Sequence, residues 1–143
     1  MKKLSFLFLF VLTLVSCSME KQPIAYGEDS CDFCKMTIVD QIHGAELLTD
    51  KGKVYKFDAL ECMLNFEAEM GKEKAGQFYT NHFLSPGELI RAEEASFLIT
   101  ENIPSPMGEF ITAFPSQKEA EKVQAEKDGE VYTWGALKKQ QNQ

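Results

Sequence analysis

Two stretches of this sequence repeat the same order of local signals, and that order limits the folds the chain can adopt. In the first, Glu46 to Thr49 and Val54 to Phe57 read as short strands around the Asp50-Lys51-Gly52 turn. Asp58 stands three residues before Glu61, a capping-box spacing, and opens a helix through Leu60, Met63, Leu64, Ala68 and Met70 that Gly71 stops. Phe78-Tyr79-Thr80 follows as a strand. In the second, Phe97 to Thr100 and Phe110 to Phe114 read as strands, and Ser116 with Glu119 repeats the capping-box spacing. That helix runs to Asp128 before Gly129, and Val131-Tyr132-Thr133-Trp134 returns as a strand. Met36 to Ile42, with Thr37, Ile38 and Val39, favours one further strand at the start of the first unit. The pattern predicts an α+β domain of two β-β-α-β units, about Met36 to Thr80 and Ser96 to Trp134. Mostly antiparallel sheet, in one continuous piece or two, packs against two helices.

The first residues carry a different message. Lys2 and Lys3 precede an apolar stretch from Leu4 to Val15, shorter than the roughly twenty residues needed to span a bilayer, as in a secretory signal. The stretch ends in Leu14-Val15-Ser16-Cys17, which resembles the bacterial lipobox and implies cleavage before Cys17 and lipid on its thiol. The expected organisation is a signal peptide over 1–16, a lipid-anchored linker over 17–30, a folded domain over 31–137 and a polar tail over 138–143. A domain of this size buries roughly two-thirds of its unfolded surface and needs no disulfide or metal merely to hold a core. The net charge of −7 becomes −9 once Lys2 and Lys3 are lost, and no basic run exceeds Lys138-Lys139. A surface that replaces phosphate counterions needs a cationic stripe, so nucleic acid is disfavoured as a partner.

With Cys17 lipidated, Cys31, Cys34 and Cys62 remain, an odd set that leaves one thiol outside any pairing within the chain. The C-x-x-C spacing of Cys31 and Cys34 alone serves a disulfide, a thiol-exchange centre or a metal. An exchange centre sits at a helix N-terminus, where the dipole stabilises a thiolate, whereas the residues after Cys34 favour a strand. A plain disulfide staple leaves Cys62 alone. Zinc would take Cys31, Cys34 and Cys62 with His43 or His82, although the second paired knuckle is missing. Thioethers favour Cu(I) instead. Met36 follows Cys34, Met63 sits beside Cys62, and Met107 stands between Pro106 and Gly108 in a loop stiffened by Pro104 and Pro106. Met63 also recurs with Leu60, Phe66 and Met70 at helical spacing, as core packing does. His43 before Gly44 and His82 after Asn81 read as exposed loop residues. No Ser/His/Asp arrangement, phosphate loop or paired carboxylate set stands out, so the chain reads as a non-enzyme.

Taken in order, the exported and lipidated start, Cys31-x-x-Cys34-x-Met36, Phe57-Asp58 with Cys62-Met63, and Pro106-Met107-Gly108 followed by Ala113-Phe114 resemble the NosL family. These are accessory proteins that deliver copper for assembly of nitrous oxide reductase. The resemblance covers about Cys31 to Trp134. It implies two β-β-α-β units, monomeric Cu(I) binding through sulfur, and handover outside the cytoplasm to an acceptor cuproenzyme or its membrane assembly complex. It places the motif positions on Cys31, Cys34, Met36 and Met107; among these we take Cys34, Met36 and Met107 as ligands, with Cys31 sharing the metal or tuning Cys34, and residue type alone adds Cys62, Met63, His43 and His82 as lesser candidates. Where the family usually carries glycine between the second cysteine and the methionine, this chain has Lys35. Glycine there would admit positive φ.

Overall fold

The computed structural model of this chain describes residues 19–71 and 76–141. The signal stretch and Cys17 lie outside the described residues. The first unit comprises β1 (Ala45–Leu48), β2 (Val54–Phe57), α1 (Leu60–Met70) and β3 (Gln77–His82), and β4 (Ser85–Arg91) is added to it. The second comprises β5 (Ser96–Ile99), β6 (Ile111–Phe114), α2 (Gln117–Lys127) and β7 (Glu130–Thr133), followed by α3 (Trp134–Gln141). The two β-β-α-β units are present, in two separate sheets, ordered β2-β1-β3-β4 and β6-β5-β7, with every pairing antiparallel.

The registers superimpose. Ala45 pairs with Phe57 and Thr80, and Ser96 pairs with Phe114 and Thr133. Each unit's first strand is thus its central strand, flanked by the second and third. Both connecting helices have eleven residues.

One main apolar cluster joins the two units. Phe57, Leu60 and Met63 from the first unit and Phe97, Ile111 and Ala113 from the second belong to it, all buried. Trp134 at the start of α3 stacks near both Phe78 and Phe97, with ring centroids 5.3 and 5.7 Å away. The Phe83 N–H donates to the Ala113 carbonyl at 3.0 Å and ties the sheets directly. A smaller cluster of Leu98, Ile103, Phe114 and Ala120 sits under α2.

Several sequence expectations require correction. Met36 to Ile42 forms no strand: only an isolated bridge, Ser30 to Thr37, survives, and Asp40 closes a turn by accepting the N–H groups of Ile42 and His43. The Asp58–Glu61 capping box does not form, because α1 starts from Ala59, whose extended backbone (φ −149°, ψ 156°) precedes the first turn. Ser116 does cap α2, accepting the Glu119 N–H and donating to Glu119 Oε2 at 3.0 Å. Trp134 begins α3 instead of ending β7, and Lys138 to Gln141 continue that helix, with Leu137 fully buried. Part of the expected linker is also bolted down. Ile24 is buried and the Gln22 N–H donates to the Glu46 carboxylate at 2.9 and 3.1 Å.

Candidate metal centre

Cys31 to Met36 form a tight turn rather than the start of a strand. The Cys31 N–H donates to the Met36 carbonyl (2.8 Å) and the Lys35 N–H to the Cys31 carbonyl (3.0 Å), while the Cys34 N–H points at Cys31 Sγ (3.4 Å). Lys35 closes the turn at φ 67°, in the left-handed region where glycine is preferred. Its Nζ donates to the Asp32 carbonyl. The turn is fastened to β2 through Asp32, whose N–H donates to the Lys56 carbonyl (2.8 Å) and whose Oδ2 accepts the Lys56 N–H (2.8 Å).

That attachment carries the turn to the β2–α1 junction. Cys31, Cys34, Asp58 and Cys62 present ligand atoms that all lie within 4.8 Å of one another. Cys31, Asp58 and Cys62 are buried and Cys34 is half-buried; all three thiols are free of disulfide. Cys62 belongs to the first turn of α1, four residues past Asp58, so the extended junction Asp58-Ala59 and one helical turn bring both side chains to the same place.

The cluster sorts its protons. The Cys62 thiol hydrogen-bonds to Cys31 sulfur and, with the N–H groups of Asp58, Cys34 and Phe33, holds the Cys31 thiol below its ordinary range despite burial. Cys62 is pushed up in turn, first by that hydrogen bond and then by burial. Burial raises Cys34 as well, and its contacts with Cys31 and Asp58 add to the effect. One buried thiol held low beside two held high makes a soft donor set, and soft cations are what cysteine sulfur selects.

Met36 and Met107 are exposed, at 48% and 41%. Met63 is buried in the main core. Neither histidine is an exposed loop residue, contrary to expectation. His43 is buried with Nδ1 3.0 Å from Asp40 Oδ2 and Nε2 3.1 Å from Thr112 Oγ1. His82 is buried with Nε2 3.4 Å from Glu88 Oε2. The Asp40-His43-Thr112 order has the form of a hydrolytic triad, but its hydroxyl and imidazole are closed off from solvent, so it works as a cross-link between the pre-β1 turn and β6. Asp58 is the cluster member that sequence reasoning assigned elsewhere, to a helix cap; its place beside Phe57 in the motif was the available signal.

The family model NosL matches residues 24–141. The chain belongs to the NosL family. Membership makes it a non-catalytic protein. Among solved structures, it is similar to the crystal structure of the copper chaperone NosL from Shewanella denitrificans, with a TM-score of 0.72 and 24% identity over 82% of this chain and 94% of that one. At that identity the likeness speaks for the fold. No curated protein matches the chain. A NosL fold therefore presents a Cys31-Cys34-Cys62 cluster with an acidic neighbour, and no described helix is long and apolar enough to cross a membrane.

Proposed function

We propose that this NosL protein is an extracytoplasmic Cu(I) chaperone, anchored by lipid on Cys17, that carries copper to an acceptor cuproenzyme or its membrane assembly complex, with nitrous oxide reductase as the acceptor. The observation that carries the reading is the convergence of three thiols two residues from an exposed thioether, Met36. Thiolate with thioether is the donor combination that favours Cu(I) over zinc, which rarely takes methionine. Copper is cargo here, so the donor set must both hold it and let it go.

Cys34 suits the entry position because it is the half-buried thiol of the cluster. Met36 and Met107 supply exposed sulfur that an incoming acceptor ligand can displace one at a time, since d¹⁰ Cu(I) is satisfied by two or three soft donors. Cys31, its thiol held below the ordinary range by the Cys62 S–H and three backbone N–H groups, shares the ion or holds Cys34 in place. Asp58 Oδ1, 3.4 Å from Cys34 Sγ, accepts the thiol's hydrogen bond and orients it at this entry position. The test is anaerobic Cu(I) titration of the reduced domain against a cuprous chelator for wild type, C34S and M107A. One tight equivalent, weakened in both variants and not displaced by excess zinc, is the expected result; zinc binding in preference to Cu(I) would overturn the reading.

A further inference from the structure

Met107 sits on a turn whose two flanks are tied to a single buried side chain. The Gly108 N–H donates to the Ser105 carbonyl at 3.2 Å, closing the turn around Met107, and Gly108 takes φ 79°. The Ser105 hydroxyl accepts the Phe110 N–H at 2.9 Å and donates to Glu61 Oε1 at 3.1 Å. The backbone N–H of Glu109 also faces the Glu61 carboxyl group. Glu61 is 3% exposed and is the residue immediately before Cys62 on α1. One carboxyl group therefore draws in the loop from both sides of Met107 and does so from the helix that carries a cluster thiol.

We propose that Ser105 is a positioning residue for Cu(I): by bridging the Met107 turn to Glu61, its hydroxyl holds the Met107 thioether beside the thiol cluster. This rests on the reading of Met107 as a ligand. A thioether on an exposed loop binds weakly if each encounter must first order the loop, because the entropy of ordering opposes the bond. A loop already fastened to α1 has lost that freedom on folding. Ser105 thus supplies affinity without touching the metal, as hydrogen bonds behind a ligand do elsewhere.

The experiment is anaerobic Cu(I) competition on reduced wild type, M107A, S105A, S105T and the S105A/M107A double variant, with thermal unfolding of each. S105A is expected to bind about tenfold more weakly, S105T to stay within about threefold of wild type because the hydroxyl is kept, and the double variant to bind no more weakly than M107A. Glu61→Ala cuts the same link from the helix side and serves if S105A does not fold; it is expected to weaken binding in wild type and not in the M107A background. S105A within about twofold of wild type, or a loss that adds to that of M107A, overturns the role of Ser105 while the Met107 ligand stands. Unchanged binding in M107A overturns both.

Discussion

Asp58 Oδ1 lies 3.4 Å from Cys34 Sγ, close enough to receive the thiol's hydrogen. An aspartate that would ordinarily cap a helix is spent on a cysteine instead, and Ala59 opens α1 without a side-chain cap. The Cys34 thiol is held above its ordinary range by burial, by its hydrogen bond with Cys31 and by this carboxylate. Asp58→Asn is therefore expected to lower the Cys34 thiol pKa. Alkylation rate against pH reads it, because among the described cysteines Cys31 and Cys62 are buried and Cys34 is the accessible thiol. An unchanged profile would show that the carboxylate does not face the sulfur.

Lys35 holds φ 67°, which costs an L-residue roughly 1–2 kcal/mol. Lys35→Gly removes that cost and adds glycine's greater unfolded-state entropy, for a net stabilisation of about 0.5–1 kcal/mol. Lys35→Val should destabilise, since a β-branched side chain tolerates this region worst. Urea midpoints at constant m-value decide the matter; a Gly variant less stable than wild type would contradict the turn geometry.

Glu46 is fully buried in β1, and burial pushes its carboxyl group up to about 7, against the Gln22 N–H and the nearby Lys56 and Lys21 charges. A carboxyl that binds its proton more tightly when folded stabilises the protein below the unfolded pKa and loses that contribution as pH rises to about 7. Stability should fall between pH 4.5 and 7 by up to about 3 kcal/mol, with a plateau above. Glu46→Gln keeps an acceptor for Gln22 and should flatten this slope, making the variant the more stable protein at pH 8. Identical pH profiles for the two would refute it.

Ser116 caps α2 and Glu119 answers it. Ser116→Ala is expected to cost about 1 kcal/mol in chemical denaturation and to leave Cu(I) affinity unaltered, because α2 carries none of the cluster. A change in affinity with equal stability would tie α2 to the site.

The parts of the fold that could be read from sequence are those where a local signal and the tertiary context agree. Phe110 to Phe114 is a short apolar run, and Ser116, two residues on, really caps, so β6 and α2 fall where expected within a residue. β4 escaped because Ser85-Pro86-Gly87-Glu88 looks like a turn; the strand is a largely exposed edge, irregular where Asn81 gives way to His82. α3 escaped because Gly135 stands in its first turn and Trp134 looked like the end of a strand, whereas the indole is needed between Phe78 and Phe97. Thr37, Ile38 and Val39 have strand propensity, but Ile38 is taken into the core and its N–H is claimed by the Asp29 carbonyl, leaving no ladder to join. At the centre, Cys31, Cys34 and Cys62 could be listed from sequence; that Asp58 stands among them depends on how the cysteine turn docks on the β2–α1 junction, and both histidines are shut in by contacts distant from that centre in sequence, His43 across the units to Thr112 and His82 within its own sheet to Glu88.

The fastening of the cysteine turn to Lys56 has a consequence for assembly. β2 is the outermost strand of its sheet, and both backbone groups of Lys56 face outward. Asp32 occupies both, one with its N–H and one with its carboxylate. An edge left bare there would be a template for a strand from a second copy. The six residues from Cys31 to Met36 therefore also guard a sheet margin, and a lesion that unwinds the turn opens a path to self-association as well as disturbing the sulfur cluster.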